Sequence, residues 1–176
     1  YWPHPAVRPG RAVLLVEDPL FFGTDVRWPA RMHRQKLMLH RASMRAYAER
    51  LRSEGFAVTV LECPGPGGHT ISLLRSGLPP AATHLHYADP VDDMLSRRLR
   101  RFADAQNLAC TAHETPGFLT PESFLEECFG QGRKPFMARF YERQRQRMQI
   151  LVTGTGEPVG GQWSFDTENR KRLARG

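Results

Sequence analysis

Four short apolar runs, each followed by a stretch of different periodicity, constrain this chain more than any other feature. They are "AVLLVE" (12–17), "FAVTVLE" (56–62), "THLHYA" (83–88) and "LACTAHE" (108–114). Each is too short for a helix and most carry β-branched residues, so each reads as a strand. Between the first two, "HRQKLMLHRASMRAYAERLRSEG" (33–55) places Leu37, Met44, Tyr47, Ala48 and Leu51 at helical spacing, with Gly55 as the stop. Thr70 is expected to cap a short helix running through Leu74. A helix over 90–107 is expected to open on Pro90, with acids at its positive end. Thr120 is expected to cap Pro121–Phe129, with Gly130 after its end, and a last helix runs from about 134 to 151. Repeated strand–helix alternation implies an α/β fold with a mostly parallel sheet and helices on both faces.

The chain of 176 residues suffices for one domain with its own core. No apolar run approaches the roughly 20 residues that a spanning helix needs. The opening "YWPHPAVRPG" has no secretory pattern and no initiator Met, so a fragment edge is expected there. Cys63, Cys110 and Cys128 are odd in number and widely spaced, which fits neither a disulfide scaffold nor a zinc module. Reduced thiols in a cytoplasmic monomer, with no membrane partner, are the expectation. The net charge of +7 is uneven. "GRKPFMARFYERQRQRM" (132–148) sets Arg133, Lys134, Arg139, Arg143, Arg145 and Arg147 against Glu142, and "NRKRLARG" adds further bases. Such a stretch is either a solvated cationic helix or an edge that faces a polyanion.

On parallel sheets ligands bind beyond the carboxyl ends of the strands, which here are Glu17/Asp18, Glu62/Cys63, Tyr87/Asp89 and His113/Glu114. "GTGEPVGG" fails as a dinucleotide fingerprint because Val159 stands where a Gly is required, and "PGPGGH" lacks the Lys-Ser/Thr of a phosphate loop. His84 and His86 share one strand face, but no third ligand is placed for a metal. No Ser sits in a nucleophile elbow. The best candidate site is the first strand-to-helix crossing, with Glu17, Phe22, His33 and Lys36. A planar heterocycle wants aromatic faces, a carboxylate for ring N–H groups and a cation or helix start for carbonyls or phosphate. The same residues also fit a corner of the core, with Phe21 and Phe22 inside, Glu17 paired to Lys36 and nothing bound.

Three stretches, "VEDPLFF", "HRQKLMLHRASMRAYAERL" and "PVGGQWSFDTENRKRL", closely resemble the N-terminal domain of the iron–sulfur bacterial cryptochromes and photolyases, also called deoxyribodipyrimidine photolyase-related proteins. The likeness covers nearly the whole chain in order, and its GG-x-W-[SN]-[FY]-D-x-E-N-R run is specific. It implies a Rossmann-like domain of the photolyase N-terminal type whose first strand would precede Tyr1. Family members repair (6-4) photoproducts in DNA with light or act as blue-light receptors. Their α/β domain holds an antenna, here a 6,7-dimethyl-8-ribityllumazine-like chromophore, and a larger helical domain holds FAD and a four-Cys [4Fe–4S] cluster. The matching cofactor-binding positions are Glu17 and the His33/Lys36 helix start, with Phe22 and Trp28 in the segment between.

The resemblance further implies an antenna-type domain over 1–152 and a Gly-rich linker over 153–176, leading to an FAD/[4Fe–4S] domain of the same parent chain. None of the three Cys matches a cluster ligand, and this part alone is not expected to be catalytic. Trp163 and Phe165 would anchor the linker. Arg139, Arg143 and Arg147, together with Arg170, Lys171 and Arg172, would meet damaged DNA through the parent or the acidic side of the partner domain. The alternative is a chromophore-free scaffold and DNA-facing module, or a blue-light receptor domain without repair activity.

Overall fold

The computed structural model describes residues 4–130, 132 and 134–165. Along the chain run β1 (Val13–Val16), α1 (Pro19–Phe22), α2 (Arg34–Ser53), β2 (Val58–Leu61), α3 (Thr70–Gly77), β3 (His84–Ala88), α4 (Asp93–Ala105), β4 (Ala109–His113), α5 (Glu122–Phe129) and α6 (Met137–Met148). The chain divides into two compact units, Tyr1–Gly117 and Phe118–Gly176, whereas the sequence reading puts its boundary after residue 152. α5 and α6 meet through aromatic contacts within the second unit.

The first unit has the expected α/β order, with helices on both sides of short parallel strands. β1 pairs with β2 in register Val13↔Val58 to Val16↔Leu61, and β3 pairs with β4 from His84↔Ala109 to Ala88↔His113. Among the described residues these remain two separate two-stranded sheets rather than one. Each is a strand–helix–strand unit, and among the described residues no ladder joins β1 to β3. One apolar layer serves both sheets. Leu74 of α3, Phe102 and Ala103 of α4, and Leu108 form its buried centre, and Val16 of β1 and Leu85 of β3 pack against it. α2 buries Ala48 and Leu51 and packs along β2.

Local chemistry sets the helix ends. α2 stops before Gly55, whose φ of 86° suits a residue without a Cβ. α3 is capped by His69, whose Nδ1 accepts from the Ile71 amide at 3.2 Å, and not by Thr70, whose hydroxyl is engaged elsewhere. α4 starts at Asp93 instead of Pro90. Asp89 takes the Val91 amide at 2.9 Å in a turn, and Asp92 caps through the Leu95 amide at 2.7 Å. Pro121 is the N-cap of α5, and Thr120 accepts from Gln144 Nε2 at 3.1 Å instead of capping. The short α1 was not expected; Asp18 caps it through the Leu20 amide with Pro19 in the first helical position.

In the second unit, buried Phe124 and half-buried Phe129 and Phe140 hold α5 against α6, with ring centroids 6.0 Å apart for Phe124–Phe140 and 5.2 Å for Phe129–Phe140. Buried Arg145 gathers the following segment, donating to the carbonyls of Ile150 at 3.2 Å and Trp163 at 2.9 Å, and also to that of Leu151. Among the described residues no helix is long and apolar enough to cross a membrane.

Candidate functional site

At the carboxyl end of β1 the chain turns twice, and two buried carboxylates hold the turns. Glu17, 1% exposed, accepts from Nε and Nη2 of Arg41, each at 2.6 Å, and from the Cys63 amide at 2.9 Å. It therefore ties α2 and the end of β2 to the end of β1. Burial alone would raise its pKa. Hydrogen bonds from Arg41 and Cys63, with the fields of Arg41 and Arg45, more than offset this and hold it below the ordinary carboxylate range. Phe22 is buried as well; it stacks on His40 at 4.9 Å, with the Arg41 guanidinium 5.5 Å from its ring.

Glu17 and Phe22 are thus brought together, and the cation that joins them is Arg41, further along α2 than Lys36. His33 caps α2, its Nδ1 accepting from the Gln35 amide at 3.3 Å. Lys36 is exposed and makes no ion pair among the described residues. These two remain on the solvent side of the helix start.

The second carboxylate, Asp25, was missed by sequence reasoning. It is 1% exposed and accepts from the Arg27 and Trp28 amides, each at 3.0 Å, and from both terminal nitrogens of Arg98. Arg98 Nη1 also donates to Thr70 Oγ1 at 2.9 Å, and that hydroxyl donates to Asp18 Oδ1 at 3.2 Å. The Arg98 hydrogen bond, aided by the two amides, holds Asp25 below its ordinary pKa despite burial. Burial pushes the Asp18 carboxyl up, against its hydrogen bonds from Leu20 and Thr70. One signal did exist: Arg98 falls at the core period of α4 with Leu95, Leu99 and Phe102, where a charge needs a buried partner.

Above these knots the Gly23–Arg31 loop is stitched to the turn after β2. The Gly67 and Gly68 amides donate to Thr24 O, each at 3.0 Å, and the Val26 amide donates to Gly68 O at 2.9 Å. Gly23 closes the loop: its φ is 75°, and a Cβ there would lie 2.2 Å from Ala30 O. The result is an open cleft of about 450 Å³ with Val26, Pro29, Arg31 and Gly67 in its walls. Its lining is mainly apolar, with the Arg31 side chain supplying a cation and the loop backbone supplying polar groups. Asp25 belongs to the wall, but its carboxylate is buried beneath it and already satisfied. Such a site can bind and orient a ligand.

The basic stripe is uneven. Arg143 and Arg147 lie 5.5 and 4.9 Å from the Phe124 ring centre. Arg143 pairs with Glu127, and Arg147 donates to Leu119 O and, at 3.2 Å, to Gln144 Oε1. Arg139 is exposed and makes no ion pair among the described residues. Arg170, Lys171 and Arg172 lie outside the described residues. Trp163 is half-buried with the Arg145 guanidinium 5.1 Å from its ring, whereas Phe165 is 55% exposed.

All three Cys are free thiols. His84 and His86 do share a face, their rings stacked 4.0 Å apart, and His86 Nδ1 lies 3.3 Å from His113 Nε2. No group of three His, Cys, Asp or Glu is placed to hold a metal among the described residues.

The model of the family described as "Deoxyribodipyrimidine photo-lyase-related protein" matches residues 3–176. The chain is 31% identical over 164 residues to an uncharacterized protein, R852, of Acanthamoeba polyphaga mimivirus, covering 91% of this chain and 82% of that protein. It is 27% identical over 143 residues to a (6-4) photolyase of Agrobacterium fabrum, covering 79% of this chain but 28% of that enzyme.

Proposed function

This chain belongs to the deoxyribodipyrimidine photo-lyase-related protein family, and from that premise we propose that it is an antenna and scaffold domain for light-driven repair of (6-4) photoproducts in DNA. The observation that carries this reading is the cleft of about 450 Å³ beyond the carboxyl ends of β1 and β2. Ligands of parallel sheets bind in that place, and the volume suits a bicyclic heterocycle. A lumazine-like chromophore fits the groups present. Val26 and Pro29 offer apolar contact, Arg31 a cation for ring carbonyls, and Gly67 close backbone approach.

On this reading Glu17 and Phe22 support the wall from beneath, since both are committed to Arg41 and its neighbours. His33 and Lys36 are solvent-facing groups available to a polar tail. The bound chromophore would supply light absorption. FAD, the [4Fe–4S] cluster and the contact with damaged DNA belong, on the same reading, to a helical C-terminal domain of the parent chain.

The test is titration of the purified chain with 6,7-dimethyl-8-ribityllumazine, read by fluorescence anisotropy. We expect saturable binding that Val26→Trp blocks by filling the cleft and Arg31→Ala weakens. Absence of saturable binding by the chain and by the full-length parent removes the antenna role.

A second reading, a chromophore-free scaffold and DNA-facing or light-receptor module, is favoured by one observation: Glu17 and Phe22 are spent inside the core. It predicts salt-dependent DNA affinity that Arg139→Glu lowers more than any change at the cleft.

A further inference from the structure

The second unit holds a pocket of its own, of about 570 Å³, between α5 and the start of α6. The antenna proposal makes no use of it. Three aromatic rings line it. Phe129 and Phe140 are fixed, their centroids 5.2 Å apart and Phe140 in turn braced on buried Phe124. Phe136, the N-cap of α6, is 60% exposed and presents a ring to solvent at the pocket edge. An exposed ring beside two ordered ones makes a stacking platform.

Three cations share the pocket: Lys134, Arg139 and Arg143. Arg143 is neutralised by Glu127. Lys134 and Arg139 are exposed and have no ion-pair partner among the described residues, Glu142 included. α6 begins here without a side-chain cap and without an acid in its first turn, so its opening amides add to the positive field.

A ring-stacking surface next to unneutralised cations calls for one kind of ligand, a flat heteroaromatic ring that carries an anion. We propose that this pocket takes an unpaired nucleotide, its base stacked on Phe136 and its phosphate held by Lys134 and Arg139. The base must be unpaired, because in a duplex both its faces are already stacked and its edge is hidden. The nucleotide can come from a single strand or from a free mononucleotide. The inference stands whether or not the cleft of the first unit binds a chromophore.

The test uses the full chain and anisotropy of a short labelled oligothymidylate, with an abasic strand of equal length, a duplex and thymidine monophosphate as the other arms. We expect the thymidylate to bind more tightly than the abasic strand and the duplex. Phe136→Ala should weaken thymidylate binding about tenfold and leave the abasic strand unchanged. Phe136→Trp should restore it. Joint Lys134→Ala and Arg139→Ala substitution should make the slope of log affinity against log salt shallower by about 1.4. Competition by thymidine monophosphate at comparable concentration assigns the pocket to free nucleotides; competition by the strand alone assigns it to single strands. The proposal is overturned if thymidylate and abasic strand bind alike, if Phe136→Ala affects both equally, or if neither nucleotide form binds while an acidic, phenylalanine-containing peptide does.

Discussion

Two buried carboxylates hold the loops beyond β1, and they differ in what removing a partner would do. Arg98 is 6% exposed, so Arg98→Ala would leave Asp25 charged, buried and unpaired. The expected loss is about 3–5 kcal/mol, read from the denaturant midpoint. The side chain of Arg41 is 41% exposed, so water can partly replace it, and Arg41→Ala should cost less than Arg98→Ala in the same assay. Glu17 and Asp25 both have folded pKa values below their ordinary 4.5 and 3.8. Their stabilisation is therefore present above those ordinary values and is lost as pH falls through the lower folded ones. Asp18 works the other way, because burial raises its pKa above 3.8 and its ionisation costs stability. Unfolding free energy measured against pH should thus fall on the acid side of about pH 4, and Asp25→Asn should flatten that fall. Glu17 was legible in the sequence, as a carboxylate ending an apolar run. Its partner was not, because choosing Arg41 over Lys36 depends on the rotational phase of α2. Asp25 and Arg98 stand 73 residues apart, and only the fold joins them.

Elements were more legible than their ends. Strand cores and helix faces come from periodicity, which averages over many residues, whereas caps depend on one hydrogen bond each. His69 shows the difference. An imidazole is an uncommon cap, so Thr70 looked the better choice, yet Thr70 is drawn into the Asp18–Arg98 network. His69→Ala should therefore cost about 1 kcal/mol by thermal melting, and His69→Asn should recover most of it. Gly77 is a second case. It ends α3 where a Cβ would sit 2.5 Å from Leu61 Cδ2 of β2. Ala is the better helix former by about 1 kcal/mol, yet Gly77→Ala should destabilise the protein by about 1–3 kcal/mol through this clash. Chemical denaturation of the two proteins compares these opposed effects directly, and a more stable variant would show that Leu61 gives way freely.

At the scale of the molecule, alternation of strands and helices was enough for the α/β class, but not for how the strands group. Strand partnership is a long-range choice that local pattern does not encode, nor does local pattern encode the division at Gly117. The segment at that division is open, with Phe118 60% and Leu119 72% exposed. Brief chymotrypsin treatment should cut after Phe118 first, and the masses of the two fragments would show it. The separation of β1–β2 from β3–β4 also carries a signature in time. The Val13 and Glu17 amides reach across to β2, and the Asp89 amide reaches across to β4. By alternation, the amides of Leu14 and Val16, and those of His84 and His86, point away from the one ladder each strand makes among the described residues. Hydrogen–deuterium exchange should therefore run in a residue-by-residue beat along both strands. Leu15, Leu85 and Tyr87 should hold their protons far longer than the neighbours between them, and a continuous central ladder would erase the alternation.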